Sequence, residues 1–99
     1  MNHDELQGLR ADIDRLDEEV IAILSRRFIA TQKVGVIKAI KGLEAVDPVR
    51  EAEQAKRYAL LATAHGLSVE VVQKIFRVVI DDVVLNHQAI RDRAGNARP

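Results

Sequence analysis

Apolar residues in the N-terminal part of the chain recur at alternating steps of three and four positions. The series begins with Leu6, Leu9, Ile13, Leu16, Val20 and Ile23, and the same register continues through Arg27, Ala30, Val34 and Ile37. We call these positions, from Leu6 to Ile37, the apolar seam. Their heptad-like spacing predicts one helix from about Asp4 to Lys41, with Gly42 as its stop signal.

Two further helices are predicted after this long one. Asp47 is a good N-cap and Pro48 a good first helical residue, because the N–H that proline lacks would be unpaired there. This second helix runs to His65, where Gly66 can adopt the left-handed conformation that ends a helix. Ser68 caps the third helix, whose apolar face contains Val72, Ile75, Phe76, Val79, Ile80, Val83 and Ile90.

Many residues of this third segment are β-branched, but its length, its cap and its spacing favour a helix over a strand. The last residues, from Arg91 to Pro99, include Gly95 and Asn96 and are expected to fray. The predicted fold class is therefore all-α, with one long, one short and one medium helix.

The length of the first helix bears on assembly. A helix of ~37 residues is ~55 Å long, whereas a compact domain of this size has a radius of gyration of only ~13 Å. An exposed seam would lose ~1.5–3 kcal/mol of burial energy for each large side chain. We therefore expect an intertwined homodimer that forms a helical bundle, unless a kink near Gly35 shortens the helix.

Composition narrows the classes of protein that fit. With 99 residues, of which 47% are hydrophobic and 30% charged, the chain is expected to form one domain over residues 1–99. The 15 basic residues are balanced by 15 acidic ones, which argues against a nucleic-acid partner. The absence of cysteine excludes disulfides, thiolate zinc sites and cysteine nucleophiles.

Location and regulation are also expectations from the sequence. The first residues lack the pattern of a signal peptide, and no apolar run reaches the ~18 residues of a membrane helix. We therefore expect a cytoplasmic protein that does not contact membranes. Because no extra regulatory domain fits in this length, control by end products would need a partner protein.

Three cations on the first helix are candidates for binding an anion. Arg27 lies on the apolar seam, where an unpaired guanidinium would lose several kcal/mol of solvation energy. Lys38 returns to nearly the same face, ~16 Å further along the axis, whereas Arg10 points ~100° away from Arg27. Arg10 could therefore not easily serve the same pocket from the same chain, but it could do so from a dimer partner. Arg27 either binds an external anion or pairs with a carboxylate of the chain such as Asp82 or Glu51.

Other polar residues have two interpretations each. Arg50 and Glu51, in the first turn of the second helix, fit either a surface ion pair or a binding site. His87 lies on the apolar stripe of the third helix, where a histidine is usually a core or interface residue. The three histidines have no metal-ligand spacing, so no metal site is predicted. Phosphate-loop and nucleophile-elbow motifs are also absent.

The ordered set of these motifs resembles the all-α chorismate mutases, which are small intertwined dimers with three helices per chain. The resemblance covers nearly the whole chain and needs no gap through the first two helices. It rests on Leu9-Arg10, Ile13-Asp14-Arg15-Leu16-Asp17, Arg26-Arg27, Val34-Gly35-Val36-Ile37-Lys38, Asp47-Pro48-Val49-Arg50-Glu51 and the run from Phe76 to Leu85.

The resemblance implies a function for each unusual residue. Members of this family rearrange chorismate, a dianion, to prephenate without a cofactor or a covalent intermediate. Arg27 and a partner-chain Arg10 would hold carboxylates, since a guanidinium suits bidentate binding. Lys38 would donate to the ether oxygen and to a carboxylate. Glu51 and the Asp47 backbone would bind the ring hydroxyl, with Arg50 supporting the pocket.

Two positions depart from the family pattern. Val83 stands where many bacterial members have serine, so one substrate contact would be lost. His87 stands where the family has glutamine, or in some members glutamate, as the second donor to the ether oxygen. We hypothesise that His87 replaces this glutamine, so that turnover rises as the imidazole becomes protonated.

Three functions remain open from the sequence. The first is chorismate mutase in aromatic amino-acid biosynthesis. The second keeps the scaffold but changes the substrate, as in isochorismate-pyruvate lyases or 4-amino-4-deoxychorismate mutases. The Arg50-Glu51 pair, which the lyases lack, favours a mutase. The third is a non-catalytic helical dimerisation module in which Arg27 is neutralised within the protein.

Overall fold

The computed structural model describes residues 3–96. It contains three α-helices in chain order, α1 (His3–Lys41), α2 (Pro48–Ala64) and α3 (Val69–Asn96), and no strand within the described residues. Their lengths are 39, 17 and 28 residues, which confirms the predicted order of long, short and medium. The α1 helix continues through Gly35 without interruption, so the glycine does not shorten it.

The end of α1 and the start of α2 follow the predicted signals. Gly42 has a φ of 69°, the left-handed conformation that glycine adopts without steric cost. The next amide, that of Leu43, donates to the Lys38 carbonyl at 2.8 Å and closes the helix. The Asp47 side chain then caps α2 by accepting a hydrogen bond from the Arg50 N–H.

The turn between α2 and α3 is built in the same way. Gly66 has a φ of 70°, and the Leu67 N–H donates to the Ala62 carbonyl at 2.8 Å. The Ser68 hydroxyl accepts a hydrogen bond from the Val71 N–H at 3.3 Å, which caps α3 as predicted. Because the connection is short, α2 and α3 become packed neighbours.

The prediction of fraying after Ile90 is wrong for the residues that the structure describes. The α3 helix continues to Asn96, and residues 97–99 of the expected frayed end lie outside the described range. Ile90 is buried, and the Arg91 guanidinium binds the Glu44 carboxylate at 2.7 Å. These two contacts anchor the helix close to the point where sequence composition predicted its end.

The described residues divide into two compact units, one up to Thr31 and one from Gln32 onwards. The first unit is a single stretch of α1. Its large apolar side chains are exposed, including Leu16 and Val20, each 55% exposed, and Ile23 at 57%. This stretch therefore provides no core of its own.

The second unit holds the core. Its buried apolar residues are Ala39, Ala45, Tyr58, Ala62 and Ile90. The rings of Tyr58 on α2 and Phe76 on α3 stack with centroids 4.1 Å apart. Within the described residues no large side chain is fully enclosed, so this core consists mainly of small residues. None of the three helices, over the residues that the structure describes, combines the length and the apolar composition of a membrane span.

Candidate active site

Lys38 lies in the last turn of α1 and is half-buried. Its ammonium donates a hydrogen bond to the backbone carbonyl of Ala45 at 3.1 Å. Ala45 is buried in the loop that precedes α2, two residues before the cap Asp47. No carboxylate among residues 3–96 forms an ion pair with Lys38. The ammonium is thus positioned by a neutral oxygen.

His87 is the buried polar side chain of the second unit, with 4% of its surface exposed. Its imidazole edge faces Gly35 on α1. A Cβ atom added to Gly35 would lie 2.6 Å from the His87 Cδ2 and 3.1 Å from its Nε2, far inside normal contact distance. Because Gly35 has no side chain, the imidazole ring of His87 can pack directly against the α1 backbone at this position. Because Gly35 precedes Lys38 by one helical turn, His87 meets α1 beside Lys38.

The first turn of α2 comes directly after this loop. The carbonyl of Asp47 accepts the Glu51 N–H at 3.0 Å, so the helix uses both the side chain and the carbonyl of its cap. The Arg50 guanidinium lies 3.9 Å from the Glu53 carboxylate, and both side chains are exposed. Arg50 thus forms a surface ion pair with Glu53, as one of the two interpretations of these residues expects, and does not pair with Glu51.

Glu51 instead forms an ion pair with a residue of α3. The Arg77 Nη1 donates to the Glu51 Oε1 at 3.0 Å, and the Glu51 side chain is 23% exposed. Arg77 also contacts the Asp81 Oδ1 through its Nε, at 2.9 Å, and its Nη2, at 2.7 Å. Hydrogen bonds to Asp81 and to Glu51 raise the pKa of Arg77 above its ordinary value. A carboxylate on each side therefore holds this guanidinium.

Sequence reasoning missed Arg77. Its local signal is Asp81 four positions later, a spacing that usually indicates a solvent-exposed pair on one helix. The contact with Glu51 joins residues 26 positions apart on different helices. Only the packing of α2 against α3 brings these two side chains together.

A cavity of about 250 Å³ lies between α2 and α3 next to this ion pair. Glu51 and Arg77 contribute polar groups to its wall, and the stacked rings of Tyr58 and Phe76 contribute an aromatic surface. Ile80 adds apolar surface. A cavity with this lining suits a small ligand that has an apolar body and one polar substituent.

The remaining predicted site residues are distributed over both units. Val83 is half-buried on α3, one turn before His87, and Asp82 is exposed. Arg10 and Arg27 belong to the first unit, where Arg10 is exposed and Arg27 half-buried. The second unit thus contains Lys38, His87 and the first turn of α2.

The sequence matches the family model described as chorismate mutase type II over residues 9–88. The match covers more than half of the chain and spans all three helices. The chain belongs to the chorismate mutase type II family.

This chorismate mutase family member matches relatives that are much longer than itself and a relative of similar length. The bifunctional chorismate mutase/prephenate dehydratase of Escherichia coli (strain K12) is 33% identical over 85 residues, which cover 86% of this chain and 22% of that protein. This chain thus spans 22% of the length of that relative. The 4-amino-4-deoxychorismate mutase of Streptomyces venezuelae is 27% identical over 92 residues, which cover 87% of this chain and 89% of that protein.

Proposed function

We propose that the chain, acting as one domain over residues 1–99, converts chorismate to prephenate in aromatic amino-acid biosynthesis. In this rearrangement one ether C–O bond breaks while one C–C bond forms, with no cofactor and no covalent intermediate. The observation that carries the proposal is the half-buried Lys38 ammonium, which rests on a neutral carbonyl beside the buried His87. This arrangement suits an anionic ligand better than a structural ion pair.

Catalysis of this reaction requires hydrogen-bond donors at the ether oxygen, where negative charge grows as the bond breaks. Lys38 is proposed to donate to this oxygen and to a substrate carboxylate. His87 is proposed to supply the second donor. Their proximity supports this assignment, because Gly35, the residue against which His87 packs, lies one turn before Lys38.

The other residues are proposed to hold the substrate in its compact reactive conformation. Arg27 and Arg10 of the partner subunit bind the two carboxylates. Glu51 and the backbone of Asp47 bind the ring hydroxyl. Arg50 supports this end of the site, and Val83 provides an apolar contact.

A homodimer with shared sites is proposed because the apolar seam is exposed in the single chain and a second chain would bury it. Side chains of the seam such as Leu16 and Val20 are exposed in the single chain. Burial of each would stabilise the assembly by about 1.5–3 kcal/mol. Side-by-side pairing of two α1 helices would bury this seam. Sedimentation equilibrium should give twice the chain mass of 11.0 kDa, and a monomer at micromolar concentration would reject the dimer.

Subunit mixing tests whether the sites are shared. Arg10→Ala and Arg27→Ala should each lower kcat/KM on the order of 10²-fold or more. Refolding the two inactive variants together should restore part of the activity, because some mixed dimers carry one site with both arginines. Activity that stays at the level of the separate variants would mean that each site is built from one chain.

An absorbance assay tests the function itself. Purified protein is added to chorismate, the loss of absorbance is followed, and the product is identified by mass spectrometry. Prephenate is expected. Pyruvate and salicylate formed from isochorismate would instead indicate a lyase. An intact dimer without turnover of any candidate substrate would indicate a non-catalytic dimerisation module.

The second candidate is a mutase that acts on 4-amino-4-deoxychorismate. The relative from Streptomyces venezuelae, which carries that name, matches most of this chain and is itself covered over 89% of its length. A carboxylate such as Glu51 could bind an ammonium group as well as a hydroxyl. The same assay with the amino compound compares the two substrates directly.

A further inference from the structure

The ion pair between Glu51 and Arg77 bears on which ring substituent the site prefers. One oxygen of the Glu51 carboxylate, Oε1, already accepts a hydrogen bond from Arg77 at 3.0 Å. Oε2 can therefore accept a hydrogen bond from a ligand. A carboxylate held in this way has a defined orientation toward the cavity whose wall both residues form.

Arg77 is itself held in place. Two of its nitrogens contact Asp81, at 2.9 and 2.7 Å, and a third contacts Glu51. The planar guanidinium presents its donors in a fixed fork, so fixing two of them directs the third. The contact to Glu51 is thus a directed one, although the Arg77 side chain is 51% exposed.

The charge of Arg77 affects a neutral and a cationic substituent differently. A hydroxyl bound by Glu51 donates one hydrogen bond and carries no charge. An ammonium at the same place would lie within a few ångströms of the guanidinium and be repelled by it. The Asp81 carboxylate offsets the charge of Arg77 only in part, because the Asp81 side chain is 65% exposed, against 23% for Glu51, and solvent screens its charge more strongly.

We propose that Arg77 is a positioning and specificity residue, which orients Glu51 and makes the site favour a ring hydroxyl over a ring ammonium. This inference rests on the proposed function, because it assigns Glu51 to that ring substituent. It identifies chorismate, and not its 4-amino analogue, as the preferred substrate.

The test compares kcat/KM for chorismate and for 4-amino-4-deoxychorismate in the 99-residue protein and its variants. Arg77→Gln removes the charge and keeps an amide donor. The ratio of the two values should shift toward the amino compound by about tenfold, which is the size of one charge interaction at a partly exposed site. The shift should lie mainly in KM, because Glu51 does not touch the bonds that break and form.

Three further variants distinguish specificity from a structural role. Arg77→Lys keeps the charge but loses the planar fork, so a ratio that is set by charge should stay within about twofold of the wild-type value. Lys74→Gln removes another cation of α3, one that pairs with Glu70 at 2.9 Å on an exposed surface, and should leave the ratio unchanged. Asp81→Asn leaves Arg77 with a single carboxylate partner, so the ratio should move the opposite way, further toward chorismate.

The outcomes separate this inference from the function on which it rests. Turnover of chorismate by the wild type, with the same ratio in Arg77→Gln and Asp81→Asn, would overturn the role of Arg77 alone. A wild type that neither binds nor converts either compound would overturn the function and the inference together. Circular dichroism checks that each variant is folded. If Arg77→Gln does not fold, Asp81→Asn decides the question.

Discussion

The N-terminal stretch of α1 and the pair formed by α2 and α3 both have apolar residues at helical spacing, but they use them differently. In the first unit, Leu16 and Val20 are exposed in the chain. In the second unit, Tyr58 is buried and stacks on Phe76. The difference comes from the connections, since the short turn at Gly66 folds α3 back onto α2. Periodicity alone identifies an apolar face but not the chain that covers it.

Placing a charge on the apolar seam should have the largest effect on assembly and on activity. Leu16→Glu puts a carboxylate where the proposed dimer is tightly packed, so the dimer should dissociate, and activity should fall by more than about 10²-fold because each site loses its partner arginine. Sedimentation and the chorismate assay measure both changes. Leu60→Glu is the control, because Leu60 is 73% exposed on α2 and lies off the seam. A dimeric, active Leu16→Glu protein would remove the seam from the interface.

Lys38→Ala should separate chemistry from assembly. Loss of this donor is expected to lower kcat on the order of 10²-fold while the dimer persists. Lys33→Ala, on the exposed side of α1, provides a matched control with little change expected. If both variants retained wild-type kcat, Lys38 would not be the donor to the ether oxygen.

His87 should contribute less than Lys38, since a neutral imidazole donates one hydrogen bond. His87→Ala is expected to reduce kcat about tenfold, the low end for a lost donor of this kind. His87→Gln, which restores an amide donor, should recover most of the activity. Steady-state kinetics with the three proteins measures the difference. Equal kcat values for wild type and His87→Ala would show that the ring serves packing only.

Gly35→Ala should have the smallest effect, and mainly on stability. The added methyl group would lie 2.6 Å from the His87 ring and 2.9 Å from the Ile90 Cδ1, so the side chains must shift. Overpacking of this kind costs about 1–3 kcal/mol. Urea unfolding measures the loss. Gly8→Ala, where an added Cβ has open space, should be neutral or slightly stabilising. Equal losses for both variants would contradict the close fit.

Local signals in the sequence predicted the helix ends well. Gly42 and Gly66 have the positive φ that their positions require, and the side chains of Asp47 and Ser68 cap the helices that they precede. Each of these features depends on residues that are neighbours along the chain. The continuation of α3 to Asn96 was missed because contacts with distant residues, such as that between Arg91 and Glu44, stabilise it.

The site could be predicted only in part. Lys38 and His87 stood out because each is a polar residue on an apolar face. The structure places His87 against Gly35, one helical turn before Lys38. The pairing of Glu51 with Arg77 and the fit of His87 to Gly35 join different helices. Neither is visible in spacing along one helix, and both emerge only when the helices are packed.

The Lys38 ammonium donates a hydrogen bond to the Ala45 carbonyl, so its position depends on the length of the surface connection between α1 and α2. Surface connections usually tolerate insertions, because added residues loop out into solvent. Here an extra residue between Gly42 and Ala45 would move the carbonyl away from the ammonium, and the Lys38 side chain would lose its fixed position. In a library of loop variants, this connection should therefore tolerate added residues as poorly as an interior segment does.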